Sequence, residues 1–303
     1  MPSANRRPWR MFLPLGFVLF LLLLWSAYWY VAVGQAKVRF TAERAALAAQ
    51  GMALQCSREE WGGYPFHFEF TCGSPVLTYA GRIEVRSANL LLVALAYAPW
   101  QVAALIDGPT SLATPGGIHT DITHQRALAA VTLDSQGKLS LSVDVPAVSA
   151  EGVGKADKLM LFTRPGATGG TDVALQGAEV TYQPRGRPSV TIDNGSVLGT
   201  LQPDHTFRLD KFELDQGALR YWGSGSLGLD QQHRLSGQVD TETNDSQALL
   251  AIVGPQLGLS DSKLANLRTV LGLLGSSAKA PIIAKDGALF FGPFQISELA
   301  PLY

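Results

Sequence analysis

The sequence predicts a mostly β protein with a few helices, in which an N-terminal transmembrane helix precedes a large antiparallel sheet. Three observations lead to this fold class. A long uncharged apolar run begins close to the N-terminus. Charged residues make up only 16% of the chain, while Gly, Ser, Thr and Val are plentiful, which favours strands and turns over solvent-exposed helices. Several later segments alternate apolar and polar residues with a period of two, as half-buried strands do.

The apolar run covers residues 11–36 and is bounded by charged residues on both sides. As an α-helix, its 26 residues would be about 39 Å long, enough to cross a hydrocarbon core of roughly 30 Å. Three arginines precede it, Arg6, Arg7 and Arg10. By the positive-inside rule this asymmetry predicts a cytoplasmic basic segment at 1–10, a transmembrane signal-anchor at 11–36 and a β-rich domain at 37–303 outside the cytoplasm.

The far end of the run is aromatic, with Trp25, Tyr28, Trp29 and Tyr30 at the level of the outer membrane interface. The alternative is a cleaved signal peptide, with Gly34 and Ala36 as the small residues of a cleavage site. The apolar stretch is long for a signal peptide, and the aromatic cluster lies where cleavage would occur. We therefore expect an uncleaved anchor.

The 267 residues after the run are enough for one large or two ordinary domains with a proper core. They carry 21 Lys or Arg residues and 25 Asp or Glu residues, so their net charge is about −4. No basic field is available to hold nucleic acid, and no block of Lys and Arg follows the run. Nucleic-acid partners are therefore not expected.

Two cysteines, Cys56 and Cys72, stand sixteen positions apart. In an oxidising compartment such a pair is predicted to form a disulfide, whose loop closure would contribute about 3 kcal/mol. Two thiols without histidines at zinc-finger spacing do not complete a tetrahedral metal site. Reduced thiols rank second among the alternatives and a metal site last.

The first strands are predicted from apolar residues that recur with a period of two. Phe66, Phe68 and Phe70 point one way, and the same period returns at 82–86 and 139–145. Residues 135–138 supply a turn before the segment at 139–145, and Asp193-Asn194-Gly195 is a strong hairpin signal. We also note an apolar run at 89–102, which fits either a buried strand or a surface segment.

The clearest meander runs from residue 207 to residue 240, with a turn at 230–233. Its apolar residues fall on one side of successive strands, which predicts one buried and one exposed face. The side predicted to be buried carries Phe207, Leu209, Leu219, Tyr221, Leu227 and Leu229.

The segment from Asp245 to Gly275 is predicted to be helical. Ser260 can cap a helix that begins at Asp261, and Gly275 can end it. An apolar stripe joins Leu264, Leu267, Val270, Leu271 and Leu274. We expect a helical hairpin over the end of the sheet; the alternatives are a helix that rests on the membrane or one that gates a groove.

Catalytic and cofactor motifs are missing from the sequence. Residues 223–228 fit a dinucleotide-binding glycine pattern, but they lie in alternating β sequence and no helix follows to receive a pyrophosphate. His119 and His124 are five positions apart, a spacing that suits neither one helix face nor one strand face for a metal. We expect no enzyme activity, no catalytic residues, no cofactor and no metal.

Several short motifs resemble one bacterial family in their order. They are the basic and apolar N-terminal segment, the cysteine pair around Gly63-Tyr64-Pro65-Phe66, the phrases Tyr97-Ala98-Pro99-Trp100 and Ile106-Asp107-Gly108-Pro109, and the ending Phe291-Gly292-Pro293. Together they resemble the bacterial family catalogued as domain of unknown function 2125, over most of the chain. The family has no established activity, so the resemblance assigns no catalytic residue.

The glycine-spaced strands of 219–239 are also similar, more loosely, to AsmA-like envelope proteins. That resemblance implies an inner-membrane helix followed by a sheet curved into a half-pipe or groove with an apolar interior. The residues expected to line this groove for an apolar ligand are Phe207, Leu209, Leu219, Tyr221, Leu227 and Leu229. The expected function is then a non-enzymatic bacterial inner-membrane protein, single-pass, whose periplasmic domain binds or helps to pass phospholipid or another apolar ligand. The alternative is a ligand-free structural or scaffolding envelope protein.

Overall fold

The computed structural model describes residues 9–114, 119–167, 169–257, 261–275 and 277–301. The fold is mostly β, with an N-terminal apolar helix followed by a large antiparallel sheet. Arg6 and Arg7 lie outside the described residues, as does Ser260.

The first helix, α1, is a single helix over Trp9–Ala49. It has 41 residues, so the predicted membrane segment and the alanine-rich segment after it are continuous. Among the described residues, α1 is the one helix whose length and composition would allow it to cross a membrane. It ends because Gly51 has a φ of +88°, a left-handed conformation that glycine adopts without strain.

The described residues form eighteen strands, each antiparallel to its partners. Their bounds are β1 (Met52–Gln55), β2 (Arg58–Gly62), β3 (His67–Gly73), β4 (Val76–Tyr79), β5 (Ile83–Leu95), β6 (Ala98–Ala113), β7 (His119–Thr123), β8 (Ala127–Leu133), β9 (Leu139–Ala150), β10 (Gly154–Pro165), β11 (Thr171–Tyr182), β12 (Val190–Leu201), β13 (Phe207–Gln216), β14 (Leu219–Leu229), β15 (Leu235–Thr243), β16 (Ala278–Lys285), β17 (Ala288–Phe291) and β18 (Phe294–Glu298).

The strands form a meander in which neighbours in sequence are mostly neighbours in the sheet. From β8 to β18 every strand pairs with the next one along the chain. The long strands β5 and β6 each pair with two shorter strands on one side, β5 with β3 and β4 and β6 with β7 and β8. The sequence leaves open whether the β-rich domain is one unit or two parts that meet near 146–154. In the structure β9 and β10 pair through this stretch, from Leu141 opposite Thr163 to Ala150 opposite Gly154.

Two further helices stand between β15 and β16, α2 over Ser246–Leu257 and α3 over Asp261–Leu274. Asp245 begins α2, because its carboxylate accepts hydrogen bonds from the backbone N–H groups of Gln247 and Ala248, at 3.1 and 2.9 Å. The helices pack together through Leu250 and Leu271, which lie in one cluster with Leu264 and Ala278. The side chains of the other predicted stripe residues, Leu267, Val270 and Leu274, fall outside the described part.

The turns agree with the sequence except at one place. The turns at 135–138 and 230–233 are confirmed. Asp193-Asn194-Gly195, predicted as a hairpin, is instead in the middle of β12, where Gly195 pairs with Gly177 and Leu214. The prediction was wrong because Gly195 serves packing: a Cβ at this position would lie 3.3 Å from the Leu214 side chain.

The predicted disulfide is present. Cys56 and Cys72 are bonded, with their Cα atoms 5.2 Å apart, and Cys72 is completely buried. The bond joins the residue after β1 to the penultimate residue of β3, a strand that pairs with β2 and β5. Since β1 pairs with β4 rather than with β3, the disulfide adds a connection that the backbone ladder does not make.

Candidate functional site

One face of the sheet is almost continuously apolar, and we call it the apolar face. Side chains alternate between the two faces of a strand, and directly paired residues of neighbouring strands share a face. One line of paired residues therefore crosses thirteen strands on this face: Trp61, Phe70, Leu92, Ala104, Ala129, Val143, Leu161, Leu175, Val197, Phe212, Gly223, Thr241 and Ala280. At about 4.8 Å per strand, the line is about 58 Å long.

The adjacent line on the same face has the same character. It consists of Phe68, Ala94, Val102, Val131, Leu141, Thr163, Val173, Gly199, Leu209, Gly225, Val239, Ile282 and Phe291. Neither line contains a charged residue. Such a surface is stable in water only where something apolar covers it.

Helices cover the apolar face at its two ends. At the first end α1 packs on β3, where Trp29 and Val33 form a buried cluster with Phe68 and Ala96. At the other end Leu250 of α2 and Leu271 of α3 pack on the first residue of β16, Ala278. On the sheet, these two buried clusters involve β3 at one end and β16 to β18 at the other, so the strands from β5 to β15 lie between them.

The middle of the apolar face is accessible. Leu175, at the centre of the first line, has 45% of its surface exposed, and its partners Leu161 and Val197 are half-buried. Near the edge of the same region α2 reaches the loop between β11 and β12, where the Gln256 amide donates to the carbonyl oxygen of Pro188 at 2.7 Å. The helix pair therefore bounds the accessible region on the side where β11 ends and β12 begins.

The opposite face, which we call the polar face, carries most of the charges of the central strands. Lys158 is 3.0 Å from Asp144, and Arg126 is 2.7 Å from Asp107. The Arg126 guanidinium holds the pKa of the Asp107 carboxyl below its usual value. Charges that are paired in water at a surface suit a face that meets solvent.

A groove of about 920 Å³ lies on the polar face across β8 to β13. Its floor includes Phe162 and Leu198, and its border is a chain of polar contacts between neighbouring strands. The contacts are Arg164 to Asp172 at 3.2 Å, Thr200 to Asp172 at 3.1 Å, Arg208 to Thr200 at 3.3 Å and Arg208 to Asp210 at 2.9 Å. Each arginine is already matched by a carboxylate.

The six predicted groove residues all lie on the apolar face. Phe207 pairs with Leu227, Leu209 with Gly225 and Tyr221 with Leu214, while Leu219 and Leu229 follow in alternation along β14. Their accessibility differs, because Leu209 and Leu219 are buried whereas Leu229 is exposed. Burial raises the pKa of the Tyr221 phenol above its usual value. The structure brings the six residues together, and their role in ligand binding stays a prediction.

Sequence reasoning missed the accessible centre of the same face, around Leu161, Leu175 and Val197. The signal was weak, because β10 and β12 carry apolar residues on both faces: Phe162 and Leu198 alternate with Leu161 and Val197. When the residues on both sides of a strand are apolar, the sequence pattern does not show which of them belong to the apolar face. Assigning these residues to a face requires their pairing partners in the neighbouring strands.

Candidate metal ligands do not cluster in the described residues. Within 9–114 and the later described ranges, no group of three or more His, Cys, Asp or Glu side chains could hold a metal ion. The site that stands out is the apolar face.

Comparison with protein families places the chain. A family model described as an uncharacterized protein conserved in bacteria (DUF2125) matches residues 29–300. The chain belongs to the DUF2125 family. The family match begins at Trp29, the first residue of α1 that is buried against the sheet, and continues through β18. No curated protein and no solved structure matches the chain.

Proposed function

We propose that this DUF2125 protein is a non-enzymatic, single-pass inner-membrane protein whose periplasmic sheet binds phospholipid along its apolar face and helps it to leave or enter the membrane. The observation that carries the proposal is the accessible stretch of this face between the two helical ends. A bound acyl chain would remove apolar surface from water, which stabilises by about 25 cal/mol per Å².

The position of α1 supports a route for the lipid. Phe40 of α1 packs on Phe70 with ring centroids 4.5 Å apart, and Phe70 belongs to the first apolar line. The apolar face thus begins beside the membrane helix and continues across the sheet. An acyl chain that followed α1 out of the bilayer would meet Leu92 and the later members of the line without crossing a charged residue.

The charges on the polar face support the same assignment of the lipid to the apolar face. These paired charges keep water on the polar face, so a lipid would be held on one face of the sheet only. The loose resemblance to AsmA-like envelope proteins, with their apolar half-pipe, agrees with this arrangement and carries only the weight of a fold-level analogy.

A ligand-free scaffolding role is the second candidate, and one observation favours it. Leu209 and Leu219 are only 6% and 8% exposed, so the β13–β16 end of the apolar face is filled by its own side chains and by α2 and α3. If the whole face behaved in this way in solution, no space would remain for lipid.

Neighbouring residues of β11 allow a matched test. Leu175→Glu adds one negative charge to the apolar face, whereas Gln176→Glu adds the same charge to the polar face at another exposed position. We expect full-length wild type purified in detergent to carry phospholipid in native mass spectra and to crosslink to a photoactivatable phospholipid. Leu175→Glu should lose most of the crosslink and Gln176→Glu should keep it.

Circular dichroism separates loss of binding from loss of fold. Leu175 is half in solvent, so a carboxylate there stays partly hydrated and the variant is expected to remain folded. A wild-type protein that is lipid-free in native spectra and gives no crosslink would contradict lipid binding and support the scaffolding role. Equal crosslinking of both variants would place the lipid away from the apolar face.

A further inference from the structure

Two uncharged loops meet beside the membrane helix. They are residues 63–66 between β2 and β3 and residues 96–100 at the start of β6, and we call them together the aromatic tip. No charged residue lies between Arg86 and Asp107 or within 61–66. Four aromatic side chains of the tip are more than half exposed: Tyr64, Phe66, Tyr97 and Trp100.

Hydrogen bonds fix the tip against one short stretch of α1. The Trp25 indole donates to the Pro65 carbonyl oxygen, the Tyr28 hydroxyl to that of Ala96, and the Trp29 indole to that of His67, each at 2.9 Å; the hydroxyls of Ser26 and Tyr64 are 2.8 Å apart. The tip therefore lies at the level of residues 25–29 of the helix.

At this level of α1 the tip would lie within the thickness of the membrane rather than in water. Only 14 uncharged residues, 11–24, precede the first contact, and they rise about 21 Å. A hydrocarbon core of roughly 30 Å needs about 20 residues, so it would extend to about residue 30 if it began at the first uncharged residue. Tilting the helix would move the outer boundary still further along the chain.

We propose that the aromatic tip is immersed in the outer leaflet of the membrane that α1 crosses. The proposal rests on α1 as a membrane span, which is part of the proposed function, and it adds a second contact between the domain and lipid. Tyr and Trp are favoured at this depth, where their rings meet acyl chains and their polar atoms meet headgroups.

Hydrogen bonds within the protein make the backbone of the tip compatible with such an environment. Irregular backbone at membrane depth requires that its polar groups be bonded within the protein. The carbonyl oxygens of Pro65, Ala96 and His67 accept the hydrogen bonds from α1 described above. The Phe66 carbonyl oxygen accepts from the Ala96 N–H at 2.9 Å, and that of Gly63 accepts from the His67 N–H at 2.8 Å. Pro65 has no N–H to satisfy.

The tip and α1 enclose an apolar cleft of about 980 Å³. Its lining combines Leu21, Leu22 and Trp25 of the helix with Phe66 and Tyr97 of the tip. With the tip in the leaflet, this cleft opens at the depth of the acyl chains. Strands β3, β5 and β6 start or end at the tip, so the apolar face begins at the same depth.

Fluorescent labels at single introduced cysteines test the proposal in the full chain. The two native cysteines are bonded to each other and stay unlabelled without reductant. The labelled variants are Phe66→Cys and Tyr97→Cys at the tip, Leu19→Cys in the middle of the apolar run and Val153→Cys in the exposed turn between β9 and β10, at the opposite end of the sheet. Each is reconstituted into phosphatidylcholine vesicles with an environment-sensitive dye and with nitroxide lipids as quenchers.

We expect nitroxides near the headgroup to quench the Phe66 and Tyr97 labels several-fold more than the Val153 label, and nitroxides deep in the acyl chain to quench the Leu19 label. If the Leu19 label is quenched while both tip labels behave like Val153, the tip is in water and the inference is wrong although the anchor stands. If the Leu19 label is not quenched, α1 does not cross the membrane, and the anchor of the proposed function fails together with the tip.

Discussion

Gly63 shows how one residue sets the position of the aromatic tip. It has a φ of +94°, and a Cβ built on it would lie 2.7 Å from the carbonyl oxygen of His67. That oxygen accepts the Trp29 indole hydrogen bond, so it cannot move without loosening the contact between the tip and α1. In the sequence, Gly63 stands out only as part of a family motif, because the close approach of His67 depends on the β2–β3 pairing.

Gly63→Ala is therefore expected to destabilise the protein more than a comparable change elsewhere. Gly137→Ala is the matched control, since Gly137 also has a positive φ, +73°, but a Cβ there meets nothing within 4 Å. Left-handed strain alone costs of order 1–3 kcal/mol in either variant, and only Gly63→Ala adds a backbone clash. Thermal unfolding in detergent should show a clearly larger fall in Tm for Gly63→Ala, and equal falls would mean that the loop relieves the clash.

At the scale of elements, α2 and α3 work as a cover for the last strands of the apolar face. Leu271 is 4% exposed and packs with Leu250 against Ala278 of β16. The helices are held in place at both margins, because Ser246 donates to the Gly275 carbonyl oxygen at 2.9 Å and Gln256 reaches the β11–β12 loop. Their apolar residues are thus part of the core.

Leu271→Ala should cost about 2–5 kcal/mol of unfolding free energy, as truncation of a buried leucine does. Leu175→Ala removes the same atoms from the accessible part of the face, where we expect a change within about 0.5 kcal/mol, as for surface positions. Chemical denaturation of both variants measures the two values. Similar costs would show that Leu175 is covered in solution, and would argue against an accessible apolar face.

The elements that the sequence predicted well are those with a clean period. The meander of β13–β15 and the apolar N-terminal helix depend on local patterns that neighbouring residues reinforce. The prediction of a turn at Asn194-Gly195 was wrong because packing across strands overrode the local signal. The groove was predicted where polar residues alternate regularly, around Leu227. It was missed at Leu161 and Val197, where Phe162 and Leu198 make the other side of the strand apolar as well.

At the scale of the whole molecule, α1 belongs equally to the proposed membrane segment and to the folded domain. Residues 12–24 are exposed, whereas Trp29 and Val33, five to nine positions further on, are only 6% and 7% exposed against β3 and the β5–β6 turn. The sequence could not divide the helix in this way, because Leu22 and Val33 are both simply apolar. Their different surroundings come from the register of α1 on the sheet.

This shared helix makes a prediction about processing. Cleavage after Ala36, the alternative that small residues at Gly34 and Ala36 allow, would remove Trp29 and Val33 from the core together with the three hydrogen bonds from Trp25, Tyr28 and Trp29. Loss of a buried tryptophan alone costs about 3–5 kcal/mol, a large part of the 5–15 kcal/mol by which domains are stable. We therefore expect protein from the membrane fraction to retain the residues before Lys37. Intact mass and N-terminal sequencing decide the question: a mature chain that starts at Lys37 and still gives the circular dichroism of the full-length protein would show that the sheet does not need α1.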